Sequence, residues 1–514
     1  MLSLARAWQE SAIVRCAAFL RRAAANSALN RLLFGTDAYA RQHALRESLF
    51  GRCTAAVVRA MARPLEQAGE AVRRALPESR LLGKPARALA SGKHPVLSGS
   101  AVVRALAGLR VESCLWLVFF YPLMDYGLRN TPGLALWAPW WDEVLLLFVV
   151  LAWPLQMAVR GRLTWRLTPL DLPILLYLAV AAFLFFVRSP ALNVAVEGVR
   201  VYAEYMLWFF VGANLISSRR QVNALFTGLT VLGMLLGIHG VYQYVIGAPI
   251  PEAWLDAAEA TVKTRVYSIV GSPNVLGSFF VLLLPIAASQ ILTSSSRPAR
   301  YFYLACLVPM ALSLIFTYSR GAWMAMAGAL VLYGLLYNWR ALLALALAVY
   351  TVPRVVPGIA SRISYLFSPA YLMSSARAGR VARWNKAIEV WQNFPLTGAG
   401  FGRYGGAVAA RHIPGSNYVD NFYLKTLAET GIVGLTALLL LFLAGLRCAL
   451  NSYRRVTDPA LRGLAAGIIA GLCGVLLHNV VENIFEVPMM ACYFWLLLGS
   501  LAALPHLTAE DSPV

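Results

Sequence analysis

Apolar runs of roughly 20 residues recur along most of this 514-residue chain, with almost no charge inside them. Runs of that length read as transmembrane helices. Composition agrees: 59% of residues are hydrophobic and 13% charged, against about 45–50% and about 25% in soluble domains. An ordinary cytoplasmic enzyme, a disordered chain and a fibrous protein are excluded. The expected fold is an all-α polytopic membrane protein. From residue 111 onward about twelve spans are expected, near 112–129, 141–159, 170–187, 200–217, 222–246, 273–292, 301–318, 321–338, 340–356, 422–446, 462–481 and 484–504. The first run long enough to insert begins near Val111, so no cleavable signal peptide is expected.

The second constraint is charge: 45 Lys and Arg against 24 Asp and Glu give +21. That balance suits nucleic acid, anionic lipid or an anionic substrate, and the placement of the charge decides among them. Residues 1–110 hold 18 basic and 6 acidic residues, a net of +12. Within this basic extension Ala55–Met61 and Ala68–Leu76 are patterned as short amphipathic helices, interrupted by Pro64, Pro77, Pro85 and Pro95. Two readings stay open for it: helices on an anionic cytoplasmic leaflet, or a solvated tail. In the remaining domain, 111–506, Arg placement sets orientation. With the N-terminus inside, the inner connections carry Arg160, Arg162, Arg166, Arg219, Arg220, Arg297, Arg300, Arg340, Arg447, Arg454, Arg455 and Arg462. The short outer connections and span edges carry only Arg129, Arg188, Arg200, Lys263, Arg265 and Arg320, mixed with acidic residues. Both termini are therefore expected on the cytoplasmic side of the membrane. Anionic membrane lipid is an expected partner and nucleic acid is not. The seven cysteines are scattered singly, without metal-ligand spacing, and read as packing residues; no metal and no cofactor is expected.

Two outer segments stand apart, about 247–272 and about 357–420. The second is too long for a simple connection and contains Ala376–Phe394, where Val381, Trp384, Ile388 and Trp391 are spaced for one helical face. It carries Arg362, Arg377, Arg380, Arg383, Lys386, Arg403 and Arg411 against Glu389 and Asp420. Positive charge is scarce on that side of a membrane, so anionic head groups or a diphosphate would supply the countercharge. Arg265 and Arg320 lie at the borders of apolar segments, where an ionised group is costly and is a functional candidate, although snorkelling to the interface would also place them there. Asp420, where the loop re-enters the membrane, fits either a helix cap or a carboxylate base held among arginines. His478 falls near Asn479, Glu482 and Glu486, as in an intramembrane polar cluster.

Four motifs occur in order: Gly271-Ser272-Pro273-Asn274, Tyr318-Ser319-Arg320-Gly321, Pro395-Leu396-Thr397-Gly398-Ala399-Gly400-Phe401-Gly402, and Asp420-Asn421 followed by Gly431 and Gly434. Over about residues 170–500 this pattern resembles the O-antigen ligase and polymerase superfamily of bacterial envelope glycosyltransferases. The resemblance implies a GT-C-like helical enzyme whose long extracytoplasmic loop, here 357–420, closes over the active site. The donor would be a glycan on undecaprenyl diphosphate and the acceptor a hydroxyl on a lipid or glycan. Arginines would hold the diphosphate in place of a metal. The catalytic candidates are Asp420, Arg320 and Arg265; the substrate contacts are Arg383, Arg380, Asn274, Asn421, Tyr423 and His478. One position departs from the ligase pattern: Asp420 stands where ligases have His, which weakens the ligase assignment more than the family, and His412 and His478 are candidate substitutes. A transporter or flippase of lipid-linked glycans would use the same charges without chemistry, but no internal repeat or inverted symmetry is visible.

Overall fold

In the computed structural model the structure describes residues 111–159, 166, 168–249, 264–356, 358–377 and 379–507. The basic extension expected at 1–110 lies outside the described residues. The chain divides into two compact units, Met1–Leu109 with Pro154–Pro173, and Arg110–Trp153 with Ile174–Val514. The second unit contains nearly all the described residues. Every regular element among the described residues is helical.

In chain order the helices are α1 (Cys114–Phe119), α2 (Tyr121–Asn130), α3 (Trp141–Val159), α4 (Asp171–Val187), α5 (Leu192–Ala203), α6 (Leu207–Leu215), α7 (Arg219–Val245), α8 (Pro273–Thr293) and α9 (Arg297–Phe316). There follow α10 (Arg320–Leu336), α11 (Arg340–Val355), α12 (Ile359–Leu366), α13 (Pro369–Arg377), α14 (Arg380–Asn393), α15 (Ala407–His412), α16 (Phe422–Arg455), α17 (Pro459–His478) and α18 (Pro488–Ala503). Six of them are long and apolar enough to cross a membrane: α7, α8, α9, α16, α17, and α18 extended to His506. Counting α11 and Ile359–Tyr365, bent by 104°, as one span gives seven, and α4 and α10 are shorter apolar helices. Length and composition thus identify six or seven spans among the described residues, against about twelve expected from hydropathy. Two expected spans are broken. Segment 112–129 divides at Phe120, just before Pro122, and segment 200–217 is interrupted by a 3-10 turn at Glu204–Met206.

The sequence specifies where the long helices begin. Ser218, Ser272, Ser296, Ser319, Asn421 and Asp458 each accept a hydrogen bond from the backbone N–H three residues on. In lipid an orphaned N–H costs several kcal/mol, so the caps matter more than in water. Small residues decide which helices meet. Along α17, Gly467 and Gly471 let the helix press against the backbone of α8 at Pro285 and Leu282, and Gly474 lies against Val281. This is close packing of the small-xxx-small type, which supplies dispersion contact where lipid offers no hydrophobic driving force. Gly212 on α6 and Gly499 on α18 make the same kind of approach to Leu496 and Phe209.

The segment 357–420 is built around α12, α13, α14 and α15. Helix α14 covers the stretch expected to be amphipathic, but its buried point is Ala387, which packs with Val419, Ala428 and Trp384, while Val381 is 38% exposed. Trp384, Ile388 and Trp391 of the expected face are part-buried and flank Ala387, so only Val381 departs from it.

Two of the sequence motifs prove to be one structural unit. Helix α16 is interrupted at Gly431, whose φ of 63° breaks the helical hydrogen-bond ladder. The groups released there are taken by the Pro395–Gly402 strap. The N–H groups of Ala399 and Gly400 donate to the carbonyls of Ala428 and Glu429, and those of Ile432 and Val433 donate to the carbonyls of Pro395 and Leu396. A Cβ at Gly431 would overlap the Leu396 backbone, so the position needs glycine both for its conformation and for the approach.

Candidate active site

Three non-glycine residues of the described chain have positive φ: Ser268, Tyr318 and Asp420, each at 50°. The left-handed region costs an L-residue roughly 1–2 kcal/mol, and such outliers concentrate at functional sites. Each of the three falls in, or within a few residues of, one of the motifs singled out above: Ser268 ahead of Gly271-Ser272-Pro273-Asn274, Tyr318 beside Arg320, and Asp420 itself.

The segment before α8 lies against the end of α9. The Val266 N–H donates to the Phe316 carbonyl at 3.1 Å, and the Arg265 Nε donates to the Thr317 carbonyl at 3.1 Å. Arg265 is 8% exposed, and its Nη2 donates to Asn274 Oδ1 at 3.0 Å. Asn274, in the first turn of α8, passes the contact on: its Nδ2 donates to Glu482 Oε1 at 2.7 Å. The same carboxylate oxygen accepts from Arg380 Nη2 at 2.5 Å. Arg380 opens α14, and its Nε lies 3.8 Å from Asp420 Oδ2. Arg383, one turn further, reaches that oxygen at 2.8 Å through Nη1 and also donates to the Tyr418 carbonyl. A continuous polar chain therefore runs from Arg265 through Asn274, Glu482 and Arg380 to Asp420 and Arg383. It joins residues more than 150 positions apart in sequence.

Arg320 opens α10 and stacks over the Tyr371 ring, 5.2 Å from its centroid. The Tyr371 side chain also bonds Arg380, so one tyrosine of α13 sits beside both arginines. Arg362, buried at 6% exposure, lies over Tyr318 at 6.0 Å. Three guanidinium groups (Arg265, Arg380 and Arg383) thus gather around two carboxylates, with Arg320 beside them on Tyr371. Burial pushes the Glu482 carboxyl up to about 7 and the neighbouring Asp420 charge adds to this, while Arg380, Arg265 and the Asn274 bond pull it back only in part. Burial works against the charge on Arg380, but the Glu482 and Asp420 carboxylates outweigh it and raise its pKa.

The remaining sequence candidates divide. Asn421, not Asp420, caps α16: its Oδ1 accepts from the Leu424 N–H at 2.9 Å. Asp420 is thereby free of the cap role that its position also suggested, and its carboxylate faces arginines instead. Asn421 is further tied by its N–H to Asn483 Oδ1, and the Tyr423 hydroxyl donates to the Leu476 carbonyl. Both fix the start of α16 against the region around the end of α17. His412 pairs with Glu197, together with Arg411. His478 is fully buried, with no hydrogen-bond partner at either ring nitrogen among the described residues. It packs against the first turn of α10, where a Cβ on Gly321 would come within 2.9 Å of its Nε2.

Sequence reading treated Glu482 only as a neighbour of His478. The available signal was a carboxylate in a connection of a few residues between two apolar helices, on the side where Arg265 and Arg320 were expected. It also missed a second, deeper cluster. Lys425, 1% exposed, contacts Glu429 Oε2 at 2.7 Å and Glu486 Oε1 at 3.0 Å, and its Nζ donates to the Tyr202 hydroxyl at 3.1 Å. The other oxygens of the two carboxylates accept backbone N–H groups of the loop, Glu429 from Tyr404 and Glu486 from Ala407. Gly405 between them accepts from the Val419 N–H. The buried charges thereby hold the backbone on which Asp420 sits.

The fold and site define a multi-pass helical membrane protein with an arginine-lined polar site built from helix starts. Residues 305–439 match the family described as O-antigen ligase, a stretch that includes Arg320, Arg380, Arg383 and Asp420. The match covers about a quarter of the chain and makes it similar to the O-antigen ligase/polymerase superfamily, a glycosyltransferase-like group of enzymes acting on lipid-linked glycans. Comparison with curated proteins gives no match.

Proposed function

We propose that the protein is a glycosyltransferase that moves an undecaprenyl-diphosphate-linked oligo- or polysaccharide to a hydroxyl acceptor on the extracytoplasmic side of a bacterial inner or plasma membrane. The topology belonging to this reading has twelve spans and both termini in the cytoplasm, with 357–420 as the catalytic loop. What carries the reading is the convergence of Arg265, Arg320, Arg380 and Arg383 with Asp420 in one half-buried cluster. A diphosphate is the anion that such a cluster fits: guanidinium groups bind its oxygens in pairs and stabilise the charge that develops as it leaves. In the proposed reaction the acceptor oxygen attacks the anomeric carbon from the face opposite the diphosphate and inverts it. Arg265 and Arg320 hold the diphosphate and Arg380 and Arg383 support it. Asp420 faces the acceptor and orients or deprotonates it. Asn274 positions Arg265, Asn421 and Tyr423 fix the base of the loop, and His478 lines the floor beneath Arg320.

The test is incubation of purified protein with a defined undecaprenyl-diphosphate glycan and candidate acceptors, followed by mass analysis. A ladder identifies a polymerase, and one discrete adduct a ligase. Arg320→Ala and Asp420→Ala should each abolish transfer while the protein stays in the membrane. Full transfer by either variant would remove the assignment, and donor binding without any product from the wild type would favour a transporter of lipid-linked glycans.

A further inference from the structure

Resting on that reading, we propose that Glu482, not Asp420, is the catalytic base that takes the acceptor proton, while Asp420 holds the arginines and orients the acceptor. The two carboxylates share Arg380 but differ in what surrounds them. Asp420 Oδ2 is held by two guanidinium groups, Arg383 at 2.8 Å and Arg380 at 3.8 Å. Glu482 has one guanidinium contact, from Arg380, and one neutral donor, Asn274, both on Oε1. Its Oε2 accepts no hydrogen bond from the described residues. The side chain is 12% exposed. Each carboxylate thus has one oxygen held in orientation and one open, as a general base needs, but Glu482 is held by one guanidinium and a neutral amide where Asp420 is held by two guanidinium groups.

The electrostatic surroundings agree. Arg380 faces Glu482 from α14, Asp420 from the turn before α16, and Arg265 and Asn274 from the start of α8. His478 ends α17, and Tyr371 of α13 acts on Arg380. Burial and the Asp420 charge outweigh the cations, so the carboxyl titrates at about 7, near the point at which a base is both available and strong enough.

The step balances without a co-reactant. The acceptor hydroxyl proton passes to Glu482, and its oxygen bonds the anomeric carbon. The bond from that carbon to the diphosphate oxygen breaks, and its electron pair leaves with the diphosphate among Arg265 and Arg320. Glu482 then returns its proton to solvent.

The experiment compares wild type, Glu482→Gln, Glu482→Asp and Asp420→Asn for undecaprenyl-diphosphate binding, for kcat and KM in transfer, and across pH 5 to 9. Gln keeps an oxygen for Arg380 and Asn274, so donor binding should change less than about threefold while kcat falls about 10²–10⁴-fold. Wild-type kcat should rise with pH to a plateau with a midpoint near 7, because the deprotonated form acts. That limb should vanish in Glu482→Gln, and persist with a lower plateau in Glu482→Asp and Asp420→Asn. An active wild type with an unchanged kcat and pH limb in Glu482→Gln overturns the base alone. Loss of the limb in Asp420→Asn but not in Glu482→Gln returns the proton to Asp420. A wild type that binds donor and transfers nothing overturns the functional reading and the base with it.

Discussion

Replacing Lys425 by Met tests whether the buried cluster under the loop is held together by charge. Lys425 is 1% exposed and contacts two carboxylates, at 2.7 and 3.0 Å. At an effective dielectric of about 20, each contact is worth about 6 kcal/mol of gross attraction. Desolvation of three ions offsets most of this, so the intact cluster contributes little net stability. Removing its single cation is different, because it leaves two carboxylates facing each other without compensation. Breaking a buried ion pair from one side costs about 3–5 kcal/mol, and the Lys425→Met variant should lose at least that much. Glu486→Gln should lose less, since it removes the surplus negative charge and keeps an oxygen for the Ala407 N–H. The triple variant Lys425→Met, Glu429→Gln, Glu486→Gln should recover most of the stability. Equilibrium unfolding of the detergent-solubilised protein, with helicity as the readout, gives the ordering. A loss under about 1 kcal/mol for Lys425→Met, or a larger loss for Glu486→Gln, would refute the electrostatic account.

Other substitutions probe the remaining construction. Gly431→Ala puts a Cβ against the Leu396 backbone at φ 63° and should cost at least about 2 kcal/mol, from the left-handed penalty plus the overlap; unfolding measurements check it. Asn421→Ala removes the cap of α16 and should cost about 1 kcal/mol, lowering the thermal midpoint while transfer at low temperature is retained. Ser319→Ala should behave in the same way at α10, since its Oγ accepts from the Ala322 N–H.

What the sequence made legible was whatever depends on local pattern. Apolar run length located the long helices, whose starts the structure places at Ser, Asn or Asp caps in every case but α18. Motif residues Arg265, Asn274, Arg320, Arg380, Arg383 and Asp420 do come together. Two things were hidden, for different reasons. The breaks at Phe120 and Glu204–Met206 were hidden because a window long enough to find a span averages over Pro122, Asp125, Glu204 and their apolar neighbours. The roles of Glu482 and Lys425 depend on partners far away in sequence, Asn274 and Arg380 for one and Tyr202 and Glu486 for the other. No periodicity encodes such pairings. The choice between Asp420 and Asn421 as the cap was also out of reach, since adjacent Asp and Asn fit the capping pattern equally well and backbone geometry alone separates them.

Four of the site's groups sit at helix starts. Arg320 and Arg380 are first residues of α10 and α14, Asn274 is in the first turn of α8, and Asp420 immediately precedes the cap of α16. A helix start carries about half a positive charge, so a cation placed there is unfavourable by roughly 0.3–1 kcal/mol. Two arginines at such positions are a poor choice for stability and a good one for binding an anion, because dipole and guanidinium then act on the same ligand. Arg320→Ala puts numbers on this. It relieves that dipole repulsion and gives up the stacking on Tyr371, worth about 0.5–1 kcal/mol at such a site. These two contributions nearly cancel, so the loss of unliganded stability should be set by the further contact that Arg320 makes and should stay below the diphosphate gain. The liganded state should diverge. Inorganic diphosphate at 100 times its Kd stabilises a protein that binds it by about 2.7 kcal/mol, and this gain should be largely lost in the variant. Thermal unfolding with and without diphosphate, at fixed ionic strength, measures both quantities. A variant that is several kcal/mol less stable without ligand would make Arg320 a structural residue, and one that keeps the full diphosphate shift would place the anion elsewhere.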